Sequence, residues 1–142
     1  MMQRAIALAC AALGALSACT NTPTEPKALA VALSVTSIAP VPASAAITGA
    51  GDSVVAVIVL PAVCGYTPAA DGQMTTGALV LRLSLTSDGA LPTCLAINAS
   101  TVYRLVAHNV PRASYDVSAE YRMVSGGIVS DSTLARQTIV LQ

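Results

Sequence analysis

The sequence predicts an all-β sandwich of about seven short antiparallel strands, and three observations lead there. First, apolar residues recur with a period of two. The period is clear at Gly77–Thr86, where Leu79, Leu81, Leu83 and Leu85 face one way and Arg82 and Ser84 the other. It is clearest at Tyr115–Val124, where Tyr115, Val117, Ala119, Tyr121 and Met123 alternate with Asp116, Ser118, Glu120 and Arg122. Second, Gly, Pro and Asp clusters break the chain at regular intervals, which is turn chemistry. Third, no segment after residue 18 has convincing helical spacing, and no internal repeat is present.

Composition narrows the function classes. The 142 residues carry seven basic and seven acidic side chains. Without a basic cluster, neither nucleic acid nor an anionic lipid surface is an expected charge partner. Four Tyr are the only aromatics, so the core is to be built from Val, Leu, Ile and Ala. A sugar-binding module would want exposed aromatic platforms and is disfavoured.

The N-terminus reads as an export signal: one positive charge in Met1–Arg4, an apolar core from Ala5 to about Leu16, then small residues. About 12 apolar residues are too few to span a ~30 Å hydrocarbon layer as a helix. An ordinary secretory signal is one reading. The four residues Leu16-Ser17-Ala18-Cys19 resemble the lipobox of bacterial lipoproteins in every position. That resemblance implies removal of residues 1–18 and acylation of Cys19 by diacylglycerol. Each buried CH₂ contributes about 0.8 kcal/mol, and two chains suffice for stable anchoring to the membrane. Thr20, rather than Asp, follows the cysteine, which in this class leans toward the outer membrane. Residues 19–27 are then the lipidated cysteine and a flexible tether containing Pro23 and Pro26. Residues 28–142 form the domain.

With Cys10 in the leader and Cys19 consumed by lipid, Cys64 and Cys94 remain in an oxidising compartment and read as one disulfide. Two free buried thiols are the alternative. A metal site is disfavoured because the chain offers a single His.

Taken in order, Ala28–Ile38 is expected as a first strand near an edge, ended by Ala39-Pro40-Val41-Pro42. The Ala-rich stretch that follows ends in the turn composition Gly49-Ala50-Gly51-Asp52. Ser53–Leu60 is an almost unbroken apolar run, which suits a strand with both faces covered. Ala62–Thr76 reads as a loop with Gly65, Pro68 and Gly72, carrying Cys64 and Tyr66. After the Leu-rich strand come a turn at Ser87-Asp88-Gly89 and a candidate short strand at Leu95–Asn98. Ser100–Asn109 follows, with Val102, Arg104, Val106 and His108 on one face. Gly126-Gly127 predicts a hairpin from Tyr115–Val124 into Ile128-Val129, and a last strand runs from about Leu134 to Leu141.

Two short motifs add a second resemblance. Gly51-Asp52-Ser53-Val54 is similar to the strand entry of bacterial immunoglobulin-like domains. Val110-Pro111-Arg112-Ala113-Ser114-Tyr115-Asp116-Val117 resembles a corner shared by immunoglobulin-like and transthyretin-like sandwiches, with Ala113 where that pattern has Gly. The resemblance implies an immunoglobulin-like antiparallel β-sandwich. It also implies that Tyr115 forms a tyrosine corner, its hydroxyl bonded to upstream backbone. A plain core tyrosine is the alternative.

Catalytic motifs are missing. There is no nucleophile elbow, phosphate loop or His-Glu-x-x-His helix. His108 is the one imidazole, and the acids Glu25, Asp52, Asp71, Asp88, Asp116, Glu120 and Asp131 are dispersed. The expectation is a membrane-tethered, non-enzymatic binding or structural module that contacts an envelope protein, without cofactor or metal. The alternative is a small-ligand or inhibitor protein with its site in the Cys64–Thr76 stretch.

Overall fold

The computed structural model describes residues 25–87, 89 and 98–142. The leader, Cys19, Cys94 and all but Asn98 of the candidate strand Leu95–Asn98 lie outside the described residues.

The expected first strand is two strands. Lys27–Leu29 forms β1 and Val31–Ile38 forms β2, each an edge strand, and they belong to different sheets. β1 pairs with Gly72–Met74, whereas β2 pairs with residues 100–107. The chain changes sheets close to Gly72, where an added Cβ would lie 2.8 Å from Val31 Cγ2. Glycine permits that close passage.

β3 (Ser44–Ala50), β4 (Ser53–Pro61), β5 (Thr67–Thr75), β6 (Ala78–Ser87), β7 (Ser100–Ala107), β8 (Ser114–Ser125) and β9 (Ile128–Val140) complete the order. The expected all-β sandwich is present as two packed sheets, β1-β5-β6-β8-β9 and β2-β7-β4-β3. Two features differ from expectation. The described strands number nine rather than about seven, because one expected strand is split and β3 and β5 lie where the sequence predicts turn and loop. The sandwich is also not wholly antiparallel, since β6 and β8 pair in parallel from Ala78↔Asp116 to Ser87↔Ser125. Between them the chain visits the other sheet as β7, so it re-enters the first sheet in the same direction.

β3 and β5 are strands of small residues. In β3, Gly49 leaves room for Ile139 and Leu141 from the facing sheet, and Gly51 at φ 60 makes the tight turn into β4. In β5, Pro68 lies beyond the three residues paired with β1, so it sits at a sheet edge, where proline is tolerated. Gly126 and Gly127, at φ 55 and 83, form the expected hairpin turn. β9 then runs unbroken through the polar Ser130–Thr133 segment. It passes Leu134 by a bulge, as Ala119 pairs with Ala135 while Glu120 pairs with Thr133.

The core follows the period-two reading. Leu79, Leu81 and Leu83 of β6, Ile58 of β4 and Leu105 of β7 are fully buried between the sheets. Each such side chain contributes about 1.5–3 kcal/mol. Tyr115 is buried, and its hydroxyl donates to the Pro111 carbonyl at 2.9 Å, the expected corner bond. Ala113 does not take the left-handed conformation; Asn109 does, at φ 56. The Ala113 carbonyl instead accepts the Leu141 N–H at 3.0 Å, tying the corner to the end of β9.

Candidate functional site

β4 explains both sheet faces. Val54, Ala56 and Ile58 point into the core and are fully buried, while the alternate residues Val55, Val57 and Val59 point outward and remain half-buried. The expectation that both faces of this strand are covered is therefore corrected. The facing sheet covers one, and among the described strands none packs over the other. Apolar residues of both parities make an unbroken run, whatever lies above the second face.

Register shows what surrounds these valines. One rung across the sheet reads Thr48, Val55, Val106, Ala32; the next, Ala46, Val57, Arg104, Ser34; the third, Ser44, Val59, Val102, Thr36. The outer face is thus a carpet of valine bordered by alanine and hydroxyl side chains, with Arg104 as its central charge. Val106 is only 6% exposed yet stands outside the inter-sheet core, because its sheet neighbours shield it. Arg104 is exposed and, among the described residues, has no ion pair.

The outer face of the five-stranded sheet is built otherwise. Arg82 donates to Glu120 through Nη2 at 2.9 Å and Nε at 3.2 Å, and Asp71 stands 3.5 Å from its Nη1. Arg122 grips Asp131 with a two-pronged fork at 2.7 and 3.1 Å. Those hydrogen bonds, with the guanidinium charge, hold the Asp131 carboxyl below the usual carboxylate range and raise the Arg122 guanidinium further. Thr138 donates to Asp116 at 2.8 Å. A shallow depression of about 350 Å³ lies beside Val80, Asp116, Arg136 and Thr138.

The residues singled out from sequence fall elsewhere. His108 Nδ1 is 3.0 Å from Ser53 Oγ, which donates to Asp52 Oδ1 at 3.1 Å. The hydroxyl, not the imidazole, is the middle member, so Asp52 bonds the serine and, among the described residues, no carboxylate is bonded to the imidazole. The group braces the Gly51-Asp52 turn against the end of β7, where the Asp52 carbonyl also accepts the Val110 N–H at 2.9 Å. Cys64 lies in the bend between β4 and β5, half-buried and not a free thiol. The Ala62–Thr76 loop shrinks to Ala62–Tyr66 because β5 claims Thr67–Thr75. A depression of about 380 Å³ is lined, among the described residues, by Gly65, Thr67, Ala69 and Thr86, none of them ionisable. No three His, Cys, Asp or Glu gather as a metal site among the described residues, and no described helix is long and apolar enough to cross a membrane.

Arg104 and Val106 were legible as one face of a strand, but their junction with Val55, Val57 and Val59 was not. The available signal was the double parity of the β4 run beside a single cation in β7. No family model, no curated protein and no solved structure matches the chain.

Proposed function

We propose that the protein is a non-enzymatic contact module of the bacterial cell envelope, lipid-anchored through Cys19, whose valine face docks onto a protein partner. The observation that carries this reading is the outer face of the four-stranded sheet, apolar around Arg104, which has no ion pair among the described residues. Docking removes valine surface from water at about 25 cal/mol per Å². It also desolvates Arg104, which is favourable only if the partner sets a carboxylate against the guanidinium. The partner is therefore a protein with an apolar surface and a centrally placed Asp or Glu.

The rest of the reading fits a display role. The lipobox resemblance supports acylation at Cys19, with the preference for the outer membrane that Thr20 implies, and the spacer proposed after Cys19 ends before Lys27, which β1 takes up. A Cys64–Cys94 disulfide closes the end of the sandwich where β4 leaves for β5. The Tyr115 corner supports an immunoglobulin-like ancestry. A small-ligand site beside Cys64–Thr76 is the second reading, supported by the depression next to Gly65 and Thr67. Its described lining offers no charged group to orient a polar ligand.

A photo-crosslinking residue placed at position 57 or 118 of the full chain tests the proposal in intact cells. The position 57 probe is expected to give a discrete protein adduct that Arg104→Glu abolishes, while position 118, on the charged face, gives none. Adducts from 118 alone, or a position 57 adduct indifferent to Arg104→Glu, would overturn the reading.

A further inference from the structure

The sandwich has four edges, and three of them carry a feature that discourages strand addition. β1 is three residues long and opens with Lys27. β9 is bulged at Leu134 and carries Asp131 and Arg136. β3 contains Gly49, which leaves room for Ile139 and Leu141 on its core face and carries little strand propensity. Even the part of β5 left uncovered by β1 includes Pro68 and Asp71.

β2 has none of these. Val31–Ile38 reads Val-Ala-Leu-Ser-Val-Thr-Ser-Ile: eight residues without charge, proline or glycine, in unbroken register with β7. Its second edge has no partner strand among the described residues. Apolar side chains are exposed on both of its faces. Val35, opposite core-facing Tyr103, is 48% exposed, and Ile38, on the outer face, is 36% exposed. Unpaired backbone, strong β-propensity and exposed apolar groups on one strand are what strand addition consumes.

We propose that β2 is a homodimer edge, where two copies pair β2 with β2 antiparallel about a two-fold axis and join their four-stranded sheets into one. A strand paired antiparallel with its own copy is self-complementary by symmetry, and an uncharged strand offers a foreign partner no electrostatic preference over a second copy. Charge placement also favours this geometry. The order β7-β2-β2-β7 sets the two Arg104 residues three strand spacings apart, roughly 14 Å, beyond the ~8–10 Å over which exposed charges interact. Face-to-face packing of the valine carpets would instead bury two like charges together. Pairing at β2 leaves both valine faces open and side by side, and the proposed anchor raises the effective concentration of the copies on one surface. The inference goes beyond the docking face and does not require it.

The test uses the full chain in intact cells, co-expressed with two different tags. Ala32→Cys, Ser34→Cys and Thr36→Cys probe β2, Thr48→Cys probes β3, and mild oxidation traps neighbours. A covalent dimer containing both tags is expected from at least one β2 position and not from β3. Adding Val35→Lys, an inward charge at the edge, is expected to reduce that dimer at least tenfold while leaving the thermal transition in place. Equal trapping from β3, a β2 adduct only with another protein, no dimer, or indifference to Val35→Lys in a folded chain would each overturn the proposal. Repeating the position 57 probe in the Val35→Lys background scores the docking face separately.

Discussion

The two outer faces of this sandwich are made from the same alternation and differ in what fills the outward positions. On the five-stranded sheet the outward residues of β6, β8 and β9 include Arg82, Glu120, Arg122 and Asp131, and these neutralise one another at 2.7–3.2 Å. That face is complete as it stands. On the four-stranded sheet the corresponding positions of β4 and β7 hold Val55, Val57, Val59, Val102 and Val106 around one unmatched Arg104. Water is the poorer solvent for this second face, and its charge has no counterpart within the described chain. The contrast teaches that depth of burial alone does not separate a structural valine from a presented one, since Val106 is only 6% exposed yet lies outside the inter-sheet core. Val57 and Ile58 are sequence neighbours on one strand, yet only Ile58 belongs to the inter-sheet core.

That neighbouring pair supplies the largest expected difference. Ile58→Thr removes apolar volume from a fully buried site and places a hydroxyl there, and the expected cost is at least about 2 kcal/mol. Val57→Thr keeps the β-branched shape on the open face, and its expected effect lies within about 0.5 kcal/mol. Denaturant melts of the two variants would decide. A Val57→Thr cost approaching that of Ile58→Thr would mean that the outer face is already covered, and the docking reading would fail.

The next contrast uses one residue type on the two faces. Arg82 is 19% exposed and matched to Glu120 at 2.9 Å. Arg82→Met is therefore expected to cost about 1–2 kcal/mol, the lower end reflecting solvent screening. Arg104→Met should leave stability within about 0.5 kcal/mol of wild type while weakening the position 57 adduct. Equal stability losses from the two variants would erase the distinction between a neutralised and a presented arginine.

What was readable beforehand follows the same division. Strands whose inward residues are large could be seen, because Leu79–Leu85 and Tyr115–Met123 impose their period over long stretches. The Tyr115 corner was also legible, since its bond to Pro111 is local in sequence. β3 and β5 were hidden because Ala, Gly and Pro carry little strand signal, and the close approaches that require Gly49 and Gly72 come from remote segments. The parallel pairing of β6 with β8 depends on β7 changing sheets, which no local pattern records. The candidate face was half visible: the β4 run pointed to two apolar faces, but convergence of Val55, Val57 and Val59 on Val102, Arg104 and Val106 is a matter of register.

The smallest expected effect concerns acid. The Arg122 fork holds Asp131 below the ordinary carboxylate range, chiefly through its hydrogen bonds. A carboxyl whose folded pKa is depressed contributes stability that is fully present above its unfolded value, about 3.9. That contribution is lost as pH falls through the lower folded value. Both partners are solvent-exposed, so the contribution is small and weakens further with salt. Asp131→Asn removes it at neutral pH and leaves less to lose in acid. The thermal midpoints of wild type and Asp131→Asn should therefore converge as pH falls below about 4, and less visibly in high salt. Arg104→Gln, made on the face where no carboxylate is paired among the described residues, should instead track wild type in parallel over the same range. If Arg104→Gln also converged on wild type in acid, Arg104 would have a carboxylate partner in the chain, and its availability to an outside partner would have to be given up.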